Sequence, residues 1–381
     1  MKVIIIGGGI AGLSFAACLE RIGIDYVICE KAEEFRPVGS GITIAPNAIL
    51  ALRKFDLDAA LLKRGQRIDD GIISDHLFKS LARMHFGELE RKFGAPLIGI
   101  HRAELQDVLF SFINRSKLLP GRRLIKIDQG EGGVTAHFEG ADPVKGDIVV
   151  AADGIRSVAR EFVSPDAEIR YSGYTSWRGI TDDPWNKSFR GRSLEAWGFG
   201  CRFGMVSIGN DKIYWFAVAK SPQGGRDDLN YLRERLADRF AEFHRNVIEL
   251  IGRTDPQNIV RTDISDLPGV RTWSNGRVVL IGDAAHATTP NLGQGGNQAI
   301  EDSVCLALQL KTNPRDFPRA FAEYEKLRRL RATRVIRESW NLGKIAQIEN
   351  RLVGKIRNLA LKLTPPRMIE SRTDWLYELN F

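Results

Sequence analysis

The chain has 381 residues, 43% of them hydrophobic, with 55 Lys and Arg against 47 Asp and Glu for a formal net charge of +8. Length and apolar content support two domains with a sizeable core and exclude a disordered or fibrous chain. The excess charge is local: residues 314–372 hold 15 Lys/Arg and 6 Asp/Glu, the rest is near neutral, and no groove-like mixture of basic and aromatic residues points to nucleic acid.

The apolar opening breaks at Gly7, too early for a signal segment or a membrane span. Cys18, Cys29, Cys201 and Cys305 have neither metal-ligand nor disulfide spacing. A cytoplasmic protein with free thiols and no metal centre is expected. Residues 2–6 read as a strand, 10–22 as a helix and 26–29 as a second buried strand ending at Glu30. Between strand and helix lies Gly7-Gly8-Gly9-Ile10-Ala11-Gly12, a G-x-G-x-x-G turn. Its first glycine allows the tight turn, the second lets backbone approach a pyrophosphate, and the third admits close helix packing. The helix N-terminus adds positive potential for phosphate, and Glu30 can accept from a ribose. Taken alone, this turn fits FAD and NAD equally.

Apolar strand-like runs recur at 124–127, 134–138, 148–152 and 278–281, and helices are expected to begin after Pro46, Arg102, Gly154 and Gly296. The class is therefore α/β. Gly130-Glu131-Gly132-Gly133 sits between two runs as a hairpin, so only one dinucleotide fingerprint exists and a nicotinamide cofactor has no domain of its own. Between about 171 and 272 the texture becomes β-rich and holds Trp177, Trp185, Trp197 and Trp215, so a mostly β unit is read as inserted into the first domain. Two later segments carry more chemistry. One is the strand at 148–152 running into Asp153-Gly154; the other is the strand at 278–281 ending in Gly282-Asp283, followed by Pro290-Asn291-Leu292-Gly293-Gln294-Gly295-Gly296-Asn297.

With these segments in this order, nearly the whole chain resembles the class A flavoprotein monooxygenases, the group of para-hydroxybenzoate, salicylate and FAD-dependent urate hydroxylases and zeaxanthin epoxidase. The resemblance implies a discontinuous Rossmann-like FAD-binding domain at 1–70, 98–170 and 273–348. It implies an inserted, mostly β substrate domain of the para-hydroxybenzoate hydroxylase kind at 71–97 and 171–272, and a helical segment at 349–381. The implied activity is hydroxylation or epoxidation of a small aromatic or unsaturated molecule with FAD, NADH or NADPH, and O2, in a monomer or homodimer.

The resemblance also implies a cofactor set. Gly7, Gly9, Gly12, Glu30 and Lys31 would serve the adenosine and pyrophosphate, with Arg36, Thr43 and Arg102 on further FAD oxygens and the Leu124 backbone at the adenine. Asp153 is implicated in FAD and pyridine nucleotide binding, with helix capping as its bland reading. Asp283 would hold the ribityl chain, and Pro290, Gly293, Gly295, Gly296 and Asn297 would surround the flavin pyrimidine ring. On the substrate side, Arg202 and Tyr214 align with substrate-handling residues of the urate hydroxylases, whereas Arg178 stands where those enzymes have Asn. Arg178 either pairs with a substrate anion or packs at a domain interface. The six histidines form no metal motif, and His286 reads as structural. Leu352, Ile356, Leu359 and Leu363 make one helical stripe, read as packing against the helix near Phe317 and Leu330 in preference to a membrane surface. A flavin dehydrogenase on this fold and a non-catalytic FAD-binding protein remain as rival readings.

Overall fold

The computed structural model describes residues 1–34, 40–185, 187–379 and 381. Its first layer is a six-stranded sheet ordered Ser274–Asn275, Val278–Leu280, Ile148–Ala151, Lys2–Ile6, Asp25–Cys29 and Leu118–Leu119, parallel except at the first pair. The apolar run Val3 to Ile6 is buried throughout, as expected of a strand covered on both faces. The helices Ile10–Ile22 and Gly295–Thr312 pack together beside this sheet. From Lys2–Ile6 the chain continues to one neighbour, Asp25–Cys29, while the other neighbour, Ile148–Ala151, comes from far along the sequence. Strand order thus reverses at the carboxyl end of Lys2–Ile6, where open α/β sheets bind ligands, and Gly7 lies there.

The second layer is a seven-stranded sheet ordered Val260–Asp266, Arg170–Asp182, Lys212–Lys220, Cys201–Ser207, Arg192–Trp197, Asp70–Asp75 and Ser80–His85. Its core stacks Phe203 on Trp215, at 5.6 Å between ring centroids, beneath the helices Leu232–Arg239 and Arg245–Arg253. A short sheet of Gly41–Ile44, Ile98–His101 and Gln66–Arg67 lies between the layers, and its glycines allow close approach. A Cβ at Gly99 would fall 2.3 Å from the Ser207 carbonyl oxygen, and one at Gly41 would meet the Tyr214 ring.

The hairpin at 130–133 forms as expected, with Gly133 opposite Gly130. The helix expected after Gly154 begins at Val158, because Gly154 takes φ +81° and the Ser157 hydroxyl caps the Arg160 amide. One expectation is corrected. The C-terminal stripe does not pack against the helix Phe317–Ala346. Within the helix Arg351–Leu363, Leu352, Ile356, Leu359 and Leu363 are 57–72% exposed, and Gly354 and Arg357 form the buried face.

Candidate active site

The glycine turn is held by its neighbours. Gly7 donates to the Cys29 carbonyl at 2.8 Å, and its φ of +102° together with the Ala152 carbonyl, 2.4 Å from where a Cβ would sit, leaves room only for glycine. A Cβ on Gly12 would lie 2.0 Å from the Gly7 carbonyl oxygen. Gly9 differs: its backbone is extended and a Cβ there would meet nothing within 4 Å. Space is therefore kept open beside Gly9, in front of a helix N-terminus whose amides receive no side-chain cap. Glu30 reaches into the same turn, its two oxygens accepting from the Gly8 amide at 2.6 Å and the Ala32 amide at 2.9 Å. Lys31 is exposed beside it. Leu124 starts its strand two residues after Arg122, whose amide donates to the Glu30 carbonyl at 2.8 Å.

Asp153 follows the strand Ile148–Ala151. One carboxylate oxygen accepts from the Val158 amide at 2.9 Å and the Ala159 amide at 3.4 Å, which is the capping role, while the other is buried without a partner among the described residues. Asp283 follows Gly282, which sits at φ +60°, and opens the short helix Asp283–His286. Its side chain keeps solvent access and has no hydrogen bond or ion pair among the described residues, so it caps nothing and faces a cleft. Arg102, at the start of Arg102–Phe110, is likewise open to solvent yet surrounded by protein. These surroundings raise the Asp283 carboxyl above the usual range, a shift that His286 and Arg102 partly offset, and they lower the Arg102 guanidinium.

The loop Pro290–Leu292, Gly293 at φ +63° and the helix Gly295–Thr312 close the cleft. Asn297 fastens them: its Oδ1 accepts from the Ala45 amide at 2.9 Å, and its Nδ2 donates to the carbonyls of Gly293 at 2.8 Å and Thr43 at 3.2 Å. The amides of Gly295 and Gly296 stand at a helix start without a side-chain cap, while Pro290 and Gly293 are exposed.

From the second sheet, Tyr214 comes within electrostatic reach of Arg178 and Arg102. Burial raises its phenol, and both guanidiniums pull it back. Neither the Arg178 nor the Arg102 side chain has a hydrogen bond or ion pair among the described residues. Arg202 is 2% exposed and donates to Glu195 at 2.9 Å and to Asn291, while its Nε is buried without a partner among the described residues. Asn291 also donates to the Tyr174 hydroxyl at 2.9 Å and the Ser339 carbonyl at 2.7 Å, so it joins the second sheet, the 290–297 loop and the long helix Phe317–Ala346.

The structure thus brings Arg102, Asp283, Arg178 and Tyr214 within electrostatic reach of one another and ties Thr43, Gly293 and Asn297 together by hydrogen bonds, while Arg36 lies outside the described residues. Sequence reasoning missed Asn291 as a hub, and it missed the buried charges behind the loop. Asp302 accepts from the Gly282 amide at 2.8 Å and pairs with His286 and Arg328. Glu301 pairs with Arg328 and Arg331. A usable signal was present: Glu301-Asp302 stands between Ala299-Ile300 and Val304-Cys305-Leu306, and all of 299–306 is buried in the helix.

An FAD fits this donor set: open space at Gly9, uncapped helix starts, and a cleft-facing carboxylate at Asp283. Asp283→Asn is expected to weaken FAD affinity about tenfold, or ~1.4 kcal/mol. A carboxyl raised above its unfolded value destabilises the fold at every pH above about 4 and ceases to do so below. The FAD-free variant should therefore melt at or above the parent temperature at neutral pH, with the gain vanishing below about pH 4. Thermal melts of both FAD-free proteins at about pH 7.5 and about pH 3.5, on either side of the unfolded carboxyl value, check it.

Residues 1–339 match the family model described as an FAD binding domain. The chain is 39% identical to aurachin C monooxygenase/isomerase of Stigmatella aurantiaca over 373 residues, covering 98% of this chain and 97% of the relative. It is 34% identical to 2-heptyl-3-hydroxy-4(1H)-quinolone synthase of Pseudomonas aeruginosa over 370 residues, covering 96% and 94%. Among solved structures, Klebsiella pneumoniae HpxO complexed with FAD and uric acid superposes with a TM-score of 0.92 at 28% identity, covering 99% of this chain and 96% of that one.

Proposed function

The chain belongs to the FAD binding domain family and is a flavoprotein monooxygenase, and from that premise we propose that it oxygenates a flat, fused-ring heteroaromatic substrate of the 4-quinolone type. The observation that carries the substrate class is the cluster of Arg178, Arg102 and Tyr214 at the cleft. Arg178, with no hydrogen bond or ion pair among the described residues, and Arg102, within electrostatic reach of Asp283, stand near a phenol raised by burial, an arrangement suited to a ring oxygen that is anionic or enolised. Two relatives that cover nearly the whole chain are a quinolone synthase and an aurachin C monooxygenase, which supports the reading. The resemblance implies an Asn in the urate hydroxylases where this chain has Arg178, which disfavours urate.

Bound FAD supplies hydride acceptance from NADH or NADPH and activation of dioxygen, chemistry that belongs to the cofactor. The protein's residues bind and orient. Gly7, Gly9 and Gly12 would let backbone meet the pyrophosphate, Glu30 with its neighbour Lys31 the adenine ribose, and the Leu124 backbone the adenine. Arg102 would take FAD oxygens beside Thr43, and Asp283 the ribityl hydroxyls. The amides of Gly293, Gly295 and Gly296 would face the pyrimidine ring beside Pro290, where helix-start potential favours negative charge, and Asn297 would hold their loop. Asp153, with one oxygen buried and without a partner among the described residues, would serve both cofactors. Tyr214 and Arg178 would orient the substrate ring, and Arg202 would fix the loop to the second sheet through Asn291.

Arg178→Asn is expected to lower kcat/KM for a 2-alkyl-4-quinolone about tenfold to hundredfold while leaving FAD content unchanged, the cost of one charged hydrogen bond. Arg202→Ala should harm substrate turnover more than flavin retention. Loss of FAD with normal turnover after reconstitution would place Arg202 on the flavin side. The substrate class itself is tested by NADH and NADPH oxidation with product mass, using 2-alkyl-4-quinolones, salicylate and urate. Quinolone-stimulated oxidation with an oxygenated product is expected, and stimulation by urate alone would refute the proposal.

A further inference from the structure

The helix Arg351–Leu363 turns Leu352, Ile356, Leu359 and Leu363 outward at 72%, 67%, 57% and 72% exposure, with Val353 beside them at 47%. Large apolar side chains in a continuous row are unusual on a surface in contact only with water. The helix is not a frayed end. Asn350 caps it through the amides of Leu352 and Val353, and Gly354 packs on the Phe199 ring. Arg357 is buried, donating to the carbonyls of Gly198 at 3.0 Å and Ala346 at 3.1 Å. The inner face is thus riveted to the turn between Arg192–Trp197 and Cys201–Ser207, and the apolar row points away from the body of the protein.

Charge selects the occupant. At 3.6 residues per turn, Lys355 and Lys362 lie about 75–95° round the helix from the centre of the row, where a surface-lying helix places its snorkelling lysines. Both are exposed and without an ion pair among the described residues. Lys355 and Lys362 put like charge beside the row, so two copies of this face brought together would repel. An anionic surface would be attracted. We infer that the helix Arg351–Leu363 docks the protein on an anionic lipid bilayer, with the leucine and isoleucine row entering the headgroup boundary and the lysines meeting lipid phosphates. No helix among the described residues is long and apolar enough to cross a membrane, so the contact is with one leaflet. This inference does not depend on the substrate proposed above.

The test is co-sedimentation of the FAD-loaded full chain with vesicles of phosphatidylcholine containing phosphatidylglycerol, and with vesicles of phosphatidylcholine alone. The expected result is binding to the anionic vesicles that weakens at high salt. The paired change Lys355→Glu and Lys362→Glu, and separately Ile356→Ser and Leu359→Ser, should each reduce binding at least about tenfold. FAD content and melting temperature should be unchanged in both. Wild-type protein left in the supernatant with anionic vesicles would overturn the inference. So would equal binding by all variants, or a serine variant that only converts a dimer to a monomer in sedimentation velocity.

Discussion

Arg328→Ala is expected to lower unfolding free energy by about 3–5 kcal/mol, because it removes the one guanidinium shared by two buried carboxylates and leaves Glu301 to Arg331 and Asp302 to His286 alone. Arg328 is fully buried, donating to Asp302 at 2.8 Å, to Glu301 and to the Gln298 side chain at 2.7 Å. Burial alone would raise the Asp302 carboxyl, but His286 and Arg328 outweigh it and hold it below the usual range. A depressed carboxyl contributes stability that is present above its unfolded value and lost as pH falls through its folded one. Wild-type protein should therefore resist acid down to below about pH 4, and the variant should unfold at higher pH. The damage should also reach the cleft, since Asp302 holds the amide of Gly282, the residue before Asp283. Denaturant unfolding at neutral pH and an acid titration followed by tryptophan fluorescence measure both effects. A loss under about 1 kcal/mol would mean that the cluster relaxes or hydrates on losing its cation.

Gly12→Val and Gly9→Val are expected to separate folding from cofactor binding. At Gly12 a Cβ would fall 2.0 Å from the Gly7 carbonyl oxygen, so the helix Ile10–Ile22 must move off its strand and carry the glycine turn with it. That variant should be poorly soluble, or lose FAD affinity at least about hundredfold, roughly 3 kcal/mol. At Gly9 the side chain would enter open space from an extended backbone. The FAD-free fold should therefore survive with a melting temperature close to wild type, while FAD affinity falls by a similar factor because the valine occupies the pyrophosphate's place. FAD binding by the Gly9 variant at wild-type strength would show that no phosphate lies there.

The glycine turn, the Gly282-Asp283 strand end and the 290–297 loop were legible because each couples a local pattern to a fixed geometric need. The Glu301, Asp302, Arg328 and Arg331 cluster was not. Its members lie 26 to 30 residues apart across two helices, and charged residues read one at a time default to a solvated surface. Asn291 escaped notice for a related reason: its role is to join Tyr174, Arg202 and Ser339, and none of these is near it in sequence. The stripe from Leu352 to Leu363 was correctly seen as amphipathic. Periodicity, however, says only that a face is apolar and not what covers it, and the buried face proved to be that of Gly354 and Arg357.

The central claim, that this chain transfers one oxygen atom from O2 to an organic substrate, is tested most directly by turnover under isotopically labelled dioxygen. The purified FAD-loaded protein, a 2-alkyl-4-quinolone and NADH or NADPH are mixed, and the product is weighed by mass spectrometry. The account predicts a product heavier by one labelled oxygen for each substrate consumed. An oxidised product without the label would contradict it and identify a flavin dehydrogenase on the same fold.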